Sequence, residues 1–195
     1  RAAERPLVFP GNDRPGVMLA SAVRHYVERY AVRPGEHAVI FTNNDDAYAT
    51  ASAIVRASGA VSAIVDTRAE PPRQLVETAR ASGIRVLAGS AVVGTKGARR
   101  LRSVRVREAD GRSRDIPCDL LAVSGGYNPT VHLFCQSGGK LVYDADQALF
   151  KPSGSSRSVR SVGAAAGTMG LGASLLEAHE AGRGAAETGN PGNDA

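Results

Sequence analysis

Two short stretches hold residue types that could seat a cofactor. The first is the loop Thr42–Ala47 together with Asp66. A dinucleotide-binding fingerprint reads G-x-G-x-x-G/A after a strand, with an acid about twenty residues further on. Its first glycine makes the tight turn, its second lets the backbone approach a pyrophosphate, and its third lets helix and sheet pack closely; the acid takes a ribose hydroxyl. Here those positions read Thr42, Asn44 and Ala47, and Asp66 stands where the acid belongs. Ala47 keeps the third role. Asn44 places a side chain in the pyrophosphate's space, although Asn tolerates the left-handed region better than most residues. The pattern therefore predicts the fold more strongly than the ligand, and Thr42, Asn44 and Asp66 are the weaker set of candidate cofactor contacts.

The second stretch is Gly163-Ala164-Ala165-Ala166, followed by Leu171. Small residues ahead of a helix expose backbone N–H groups and the positive end of its dipole, which suits an anion or pyrophosphate. They serve tight strand–helix packing equally well. No P-loop, nucleophile elbow or HExxH motif occurs. His25, His37, His132 and His179 are dispersed, and Cys118 and Cys135 form no CxxC pair. His132 and Cys135 alone make a poor metal site. No catalytic residue and no metal ligand set is expected.

These stretches need elements to position them. Ala38–Phe41 and Val61–Val65 are short apolar runs either side of an Ala-rich helix over 47–57 that Gly59 can end, the layout of a βαβ unit. Upstream, Leu7–Phe9 reads as extended, and Asp13 with Pro15 predicts a helix start. Val17, Met18, Ala22, Val23, Tyr26, Val27 and Tyr30 recur at helical spacing. Downstream, a helix is expected over 72–82 and a short strand over 84–87. Residues 90–97, 101–108 and 112–118 alternate like antiparallel strands, with Asp110-Gly111 as a hairpin turn. Asp119–Ser124 is an apolar strand, 131–137 a short helix, 140–143 and 148–150 extended pieces, and 152–158 a flexible loop. Val159–Val162 reads as a strand leading into the small-residue turn and a helix over 169–181.

The 195 residues, 43% of them hydrophobic and 22% charged, can bury a core. A net charge of +5 is spread as scattered arginine, and aromatics are only 5%, so a solvated surface is favoured over a nucleic-acid partner. Arg102, Arg105 and Arg107 read as part of that surface. No signal peptide or membrane-spanning run is present; a soluble cytoplasmic protein is expected. The chain opens with Arg and is read as a piece of a longer one.

The order of these parts resembles the pyridine nucleotide-disulfide oxidoreductase fold, in which a nicotinamide-binding domain is inserted into a flavin-binding one. Four stretches, FPGNDRPGVMLASAVRHYV, VIFTNNDDAYATA, CDLLAVSGGYNPTVHLFCQSGGKL and VGAAAGTMG, are together similar to alpha subunits of heterotetrameric sarcosine oxidases. The resemblance covers about residues 4–182. It implies an α/β fold with a Rossmann-like βαβ domain and antiparallel meander at 36–118, inserted into a partial FAD/NAD-binding-like domain. Residues 1–35 would be the entry arm and helix of that second domain, 119–182 its C-terminal part, and 183–195 a disordered tail. It further implies a bacterial complex that oxidises sarcosine to glycine and a one-carbon unit with hydrogen peroxide production. FAD would act on the beta subunit, FMN near the subunit interface, and folate would bind elsewhere in the alpha subunit. A tightly held NAD outside the turnover would sit partly on Gly163, Ala164, Ala165, Ala166 and Leu171. The flavin relatives' "G-D" aspartate is replaced by Ala164, which fits NAD in the flavin-like domain, and the disulfide reductases' CxxC is missing. Related complexes, a dye-linked proline dehydrogenase or a hydrogen cyanide synthase, and a purely structural dinucleotide-fold module are the alternatives.

Overall fold

The computed structural model describes residues 1–153 and 159–188. Along the chain these form β1 (Ala2–Glu4), β2 (Val17–Leu19), α1 (Ala20–Tyr30), β3 (His37–Thr42), α2 (Asp46–Arg56), β4 (Ala60–Asp66), α3 (Arg73–Ala81), β5 (Arg85–Leu87), β6 (Ala91–Lys96), β7 (Ser103–Arg107), β8 (Ser113–Pro117), β9 (Leu120–Ser124), β10 (Tyr127–Pro129), α4 (His132–Gln136), β11 (Lys140–Asp144), β12 (Leu149–Ser153), a 3-10 turn (Gly163–Ala165) and α5 (Leu171–Thr188). Two compact units result: Glu4–Gly126, and Arg1–Ala3 together with the chain from Tyr127 on.

In the larger unit, β3, β4 and β9 are apolar with no alternation, and nearly every residue is buried. Strands of that kind are covered on both faces and pair in parallel. They do so here, in a five-stranded parallel sheet ordered β2-β9-β3-β4-β5. Val23, Val27, Tyr48, Ala51, Ile54 and Ala79 of the three helices cover one face over Ile40, Ile64 and Ala122. The other face, Val39, Val65, Leu121 and Val123, packs on Val92, Val104, Val106 and Ile116 of the β6-β7-β8 meander. The β7–β8 hairpin turns at Asp110-Gly111 as expected, with Gly111 at φ +83. Asp119, just before β9, accepts hydrogen bonds from the amides of Glu36 and His37 at 3.1 and 2.8 Å, so the starts of β9 and β3 are tied together.

Several features of this unit depart from the sequence reading. β2 and β9 complete the parallel sheet, although their residues fall outside the expected 36–118 span. Pairing with β3 and β2 gives β9 the neighbours that its five buried apolar and hydroxyl residues require. The first helix begins at Ala20, not near Asp13, because Val17–Leu19 is taken up as an edge strand beside β9. Its N-terminus is capped from far away: Glu4 Oε2 accepts from the Ser21 amide at 2.9 Å and its hydroxyl at 2.5 Å.

In the smaller unit β1 pairs with β10, and β11 and β12 form an antiparallel hairpin. Among its described residues Pro129, Phe134 and Leu149 are buried apolar side chains. Val159–Val162 is not a strand; these residues run irregularly into the 3-10 turn. The last helix continues to Thr188, past the boundary expected at 182. The remainder of the expected tail, 189–195, and residues 154–158 of the expected loop lie outside the described residues. No helix among the described residues is long and apolar enough to cross a membrane.

Candidate functional site

In an open parallel sheet, ligands bind outside the carboxyl ends of the strands at the point where strand order reverses. From β3 the chain proceeds outward through β4 to β5, then returns to place β9 on the other side of β3. The reversal therefore lies between β3 and β9, where Thr42 is level with Ser124. Thr42, Ser124 and Asp66 end their strands fully buried. The βαβ geometry thus brings Thr42, Asn44 and Asp66 to one crevice.

The crevice is filled by its own side chains. Asn44 Nδ2 donates across it to Ser124 Oγ at 2.9 Å and to the Ser124 carbonyl at 3.3 Å. Asn44 Oδ1 accepts from the amide of Asp46 at 3.2 Å, so an N–H of the first turn of α2 is already used. Thr42 Oγ1 accepts from the Asn44 amide at 3.0 Å and donates to the Asn44 carbonyl at 3.1 Å, holding the loop in a tight turn that the fingerprint assigns to glycine.

Asp66 is likewise committed. Its Oδ2 accepts from Tyr48 Oη at 2.9 Å and Arg68 Nη2 at 2.8 Å. Its Oδ1 accepts from Arg68 Nε at 3.1 Å and from the Arg68 amide at 3.0 Å. A carboxylate has roughly four lone-pair sites, and each is matched by a donor. Arg68 Nη1 reaches on to Asp45 at 2.6 Å. Asp46 in turn is gripped by both terminal nitrogens of Arg24, at 3.0 and 2.9 Å. Burial, then the charge and hydrogen bond of Asp66, push the Tyr48 phenol well above its ordinary range, so it stays a donor. Burial disfavours the Arg68 cation, but its bonds to Asp66 and Asp45 outweigh that and hold it charged.

The second stretch lies wholly in the smaller unit. Gly163 is buried at φ +62 and opens the 3-10 turn. Its amide donates to Glu177 Oε2 at 2.8 Å. Ser174 Oγ donates to the Thr168 carbonyl at 2.8 Å, and the Gly163 carbonyl accepts from Ala166 and Thr168 at 2.8 and 3.1 Å. Gly163, Ala164, Ala165 and Ala166 therefore form one turn braced by Ser174 and Glu177. Leu171 begins α5 and is 77% exposed.

Tyr48, Arg68, Ser124 and Glu177 carry these arrangements and escape a reading of the sequence. Residue type and spacing do not single them out, because their partners are set by the fold. Cys118 is buried beside Asp119, and burial above all pushes its thiol up to about 12, so it is no nucleophile at neutral pH. Among the described residues no group of three His, Cys, Asp or Glu side chains is placed to hold a metal ion.

The architecture has close parallels among solved structures. T. acidophilum thioredoxin reductase superimposes with a TM-score of 0.69 at 17% identity, over 96% of this chain and 62% of that one. A FAD-dependent pyridine nucleotide-disulphide oxidoreductase from Desulfovibrio vulgaris gives 0.55 at 18% identity, over 76% and 43%. L-proline dehydrogenase from P. horikoshii gives 0.58 at 16% identity, over 84% and 28%. The chain thus has the fold of the FAD- and NAD-binding oxidoreductases of the pyridine nucleotide-disulfide type.

No protein-family model matches the chain. In sequence it is a relative of the sarcosine oxidase alpha subunits, and the resemblance drawn from its motifs holds. It is 44% identical over 176 residues to sarcosine oxidase subunit alpha of Rhizobium meliloti (strain 1021), covering 90% of this chain and 17% of that protein. The corresponding subunit of Corynebacterium sp. (strain P-1) is 44% identical over 158 residues, 77% of this chain and 16% of that protein. The chain spans under a fifth of the length of the curated relatives it matches.

Proposed function

We propose that this chain is a segment of a sarcosine oxidase alpha subunit, serving as scaffold and as part of a non-turnover NAD site. The parent complex oxidatively demethylates sarcosine to glycine and produces hydrogen peroxide. The observation that carries this reading is the 44% identity over most of the chain to sarcosine oxidase alpha subunits. In this reading a Rossmann-like unit at 36–118 is inserted into a partial FAD/NAD-binding-like domain, of which 1–35 is the entry arm and helix and 119–182 the C-terminal part. NAD rests partly on Gly163, Ala164, Ala165, Ala166 and Leu171. Thr42, Asn44 and Asp66 take no part, because their polar atoms are engaged within the crevice. FAD and FMN belong to other parts of a cytoplasmic hetero-oligomer that includes a beta subunit, and folate to another region of the same subunit. Neither this segment nor its site residues supply a nucleophile or base to the amine oxidation.

The test is made on the intact complex. Purified complex is assayed for peroxide production with sarcosine and with proline, and its NAD content is measured after denaturation. Peroxide from sarcosine with about one NAD per alpha subunit is expected. Turnover of proline but not sarcosine transfers the reading to a proline dehydrogenase complex, and absence of NAD reduces the segment to a structural module.

A further inference from the structure

The crevice between β3 and β9 is where this fold class seats a dinucleotide, and the residues present do not fit one. Seating requires three openings: an acid at the end of the second strand free to take a ribose diol, open space beside the loop for pyrophosphate, and first-turn amides of the helix turned toward that space. Each is occupied. Arg68 spends three nitrogens on Asp66, and Tyr48 supplies the remaining donor. Asn44 spans the pyrophosphate space to reach Ser124. The same Asn44 takes the Asp46 amide through Oδ1. At the positive end of α2, where an anion is favoured, Asp45 and Asp46 already stand, and a pyrophosphate would meet their charge.

The geometry points to Asn44 and Arg68 as specificity-determining residues of opposite sense to a binding pair. They seal the Rossmann crevice with an internal substitute for the ligand, guanidinium in place of ribose diol and carboxamide in place of pyrophosphate. The ligand class excluded is the ADP-ribosyl group common to NAD and FAD. Displacing Arg68 would separate it from a fully buried carboxylate, and displacing Asn44 would strip the buried Ser124 hydroxyl of the bond from Nδ2. A buried polar group stripped of its partner costs the full desolvation penalty, so nucleotide does not compete. The unit behaves as one permanently liganded, with a stability that does not respond to added nucleotide. This holds whether or not the turn at Gly163 contributes to an NAD site.

The experiment uses the full-length alpha subunit in its complex, with ADP-ribose as probe and hydrogen exchange read peptide by peptide. Without substitution, peptides spanning 38–50 and 62–70 are expected to exchange at the same rate with and without ADP-ribose. In the double variant Asn44→Gly/Arg68→Ala both peptides are expected to gain protection, with ADP-ribose binding there tightened by about tenfold or more. Protection of these peptides in the unsubstituted subunit overturns the inference. So does a folded double variant that stays unprotected. Should the double variant fail to fold, Asn44→Gly alone serves, since it strands no buried charge. It reopens the pyrophosphate space, and protection of 38–50 is expected at higher ADP-ribose. Its absence in folded protein removes Asn44 from the seal. Peptides spanning 163–171 report separately on the proposed NAD site, so failure of that reading leaves a different signature.

Discussion

The phenolic oxygen of Tyr48 lies 2.9 Å from Oδ2 of Asp66, both side chains inside the protein, one on the first helix after the loop and one at the end of the next strand. The bond joins α2 to β4 at the position where a nucleotide-binding relative would leave its acid open. Tyr48→Phe removes one donor and keeps the ring. Asp66 retains three donors from Arg68, so the loss of stability is expected at about 1–2 kcal/mol, read as a lower urea midpoint with unchanged m-value. The variant also tests the alkaline limb. Burial and Asp66 raise the folded phenol's pKa, whereas an unfolded tyrosine ionises near 10. The stabilisation is fully present below about pH 10 and falls as pH rises above it. Tyr48→Phe should lack that part of the decline.

Arg68 and Asp66 are a pair in which one partner is fully buried and the other retains 29% side-chain exposure. Removing one member of a buried pair strands the other's charge, which costs about 3–5 kcal/mol for complete burial. With Arg68 partly open to water, Arg68→Ala is expected at about 2–4 kcal/mol. Asp66→Asn/Arg68→Met removes both charges at similar volume and should cost less than Arg68→Ala alone. Chemical denaturation of Asp66→Asn, Arg68→Met and the double variant completes the cycle. A double variant less stable than either single one would show that the pair holds no stranded charge.

Much of the larger unit could be read from its sequence, for identifiable reasons. Apolar runs at Ala38–Phe41, Val61–Val65 (broken only by Ser62) and Leu120–Val123 leave no continuous polar face, and Ala47 and Gly59 bound a helix of the expected length. The meander was visible as alternation, punctuated by Asp110-Gly111. β2 was hidden because Val17–Leu19 is only three residues long and shares its apolar character with the helix that follows. The cap on that helix comes from Glu4, a residue no local motif connects to Ser21. The state of the crevice was half legible: the missing glycines at Thr42 and Asn44 announced a lost opening. What fills it, Arg68 on Asp66 and Asn44 on Ser124, depends on pairings between separate elements that residue types alone do not specify.

Asp119 joins the beginnings of β3 and β9 through the amides of His37 and Glu36. Partial burial works against its charge, but those amides outweigh the burial and hold its carboxyl below the usual carboxylate range. For a depressed carboxyl the sign is fixed. The stabilisation is fully present above the unfolded value near 3.9 and is lost as pH falls through the folded value. Asp119→Ala should cost about 1–2 kcal/mol at pH 7 and progressively less in acid, as pH is taken down through the depressed folded value. The check is a series of urea titrations of both proteins from pH 7 downward, which should converge in acid. A constant gap between the curves would assign the loss to packing instead.

Glu177 is the residue that gives the small-residue turn a carboxylate although the turn's own sequence has none. Its Oε2 takes the amide of Gly163, which sits at φ +62, a conformation glycine adopts without strain. Ser174, one turn earlier on α5, has its Cβ 3.4 Å from where a Cβ on Gly163 would lie. The helix therefore turns a polar edge onto the turn, while Leu171, Leu175 and Leu176 stay more than 60% exposed. Glu177→Gln keeps an acceptor for the Gly163 amide and removes the charge; Glu177→Ala removes both. If the carboxylate's role is to hold the turn, Gln should preserve slow exchange of the Gly163 amide, and Ala should speed it by about fivefold to tenfold, the equivalent of one hydrogen bond of about 1 kcal/mol. If its charge matters as well, by repelling an anionic ligand at the turn, NAD retention in the parent complex should rise in Gln above the unsubstituted protein. Exchange and NAD content measured on the same preparations separate the two effects, because only the first follows the hydrogen bond and only the second follows the charge.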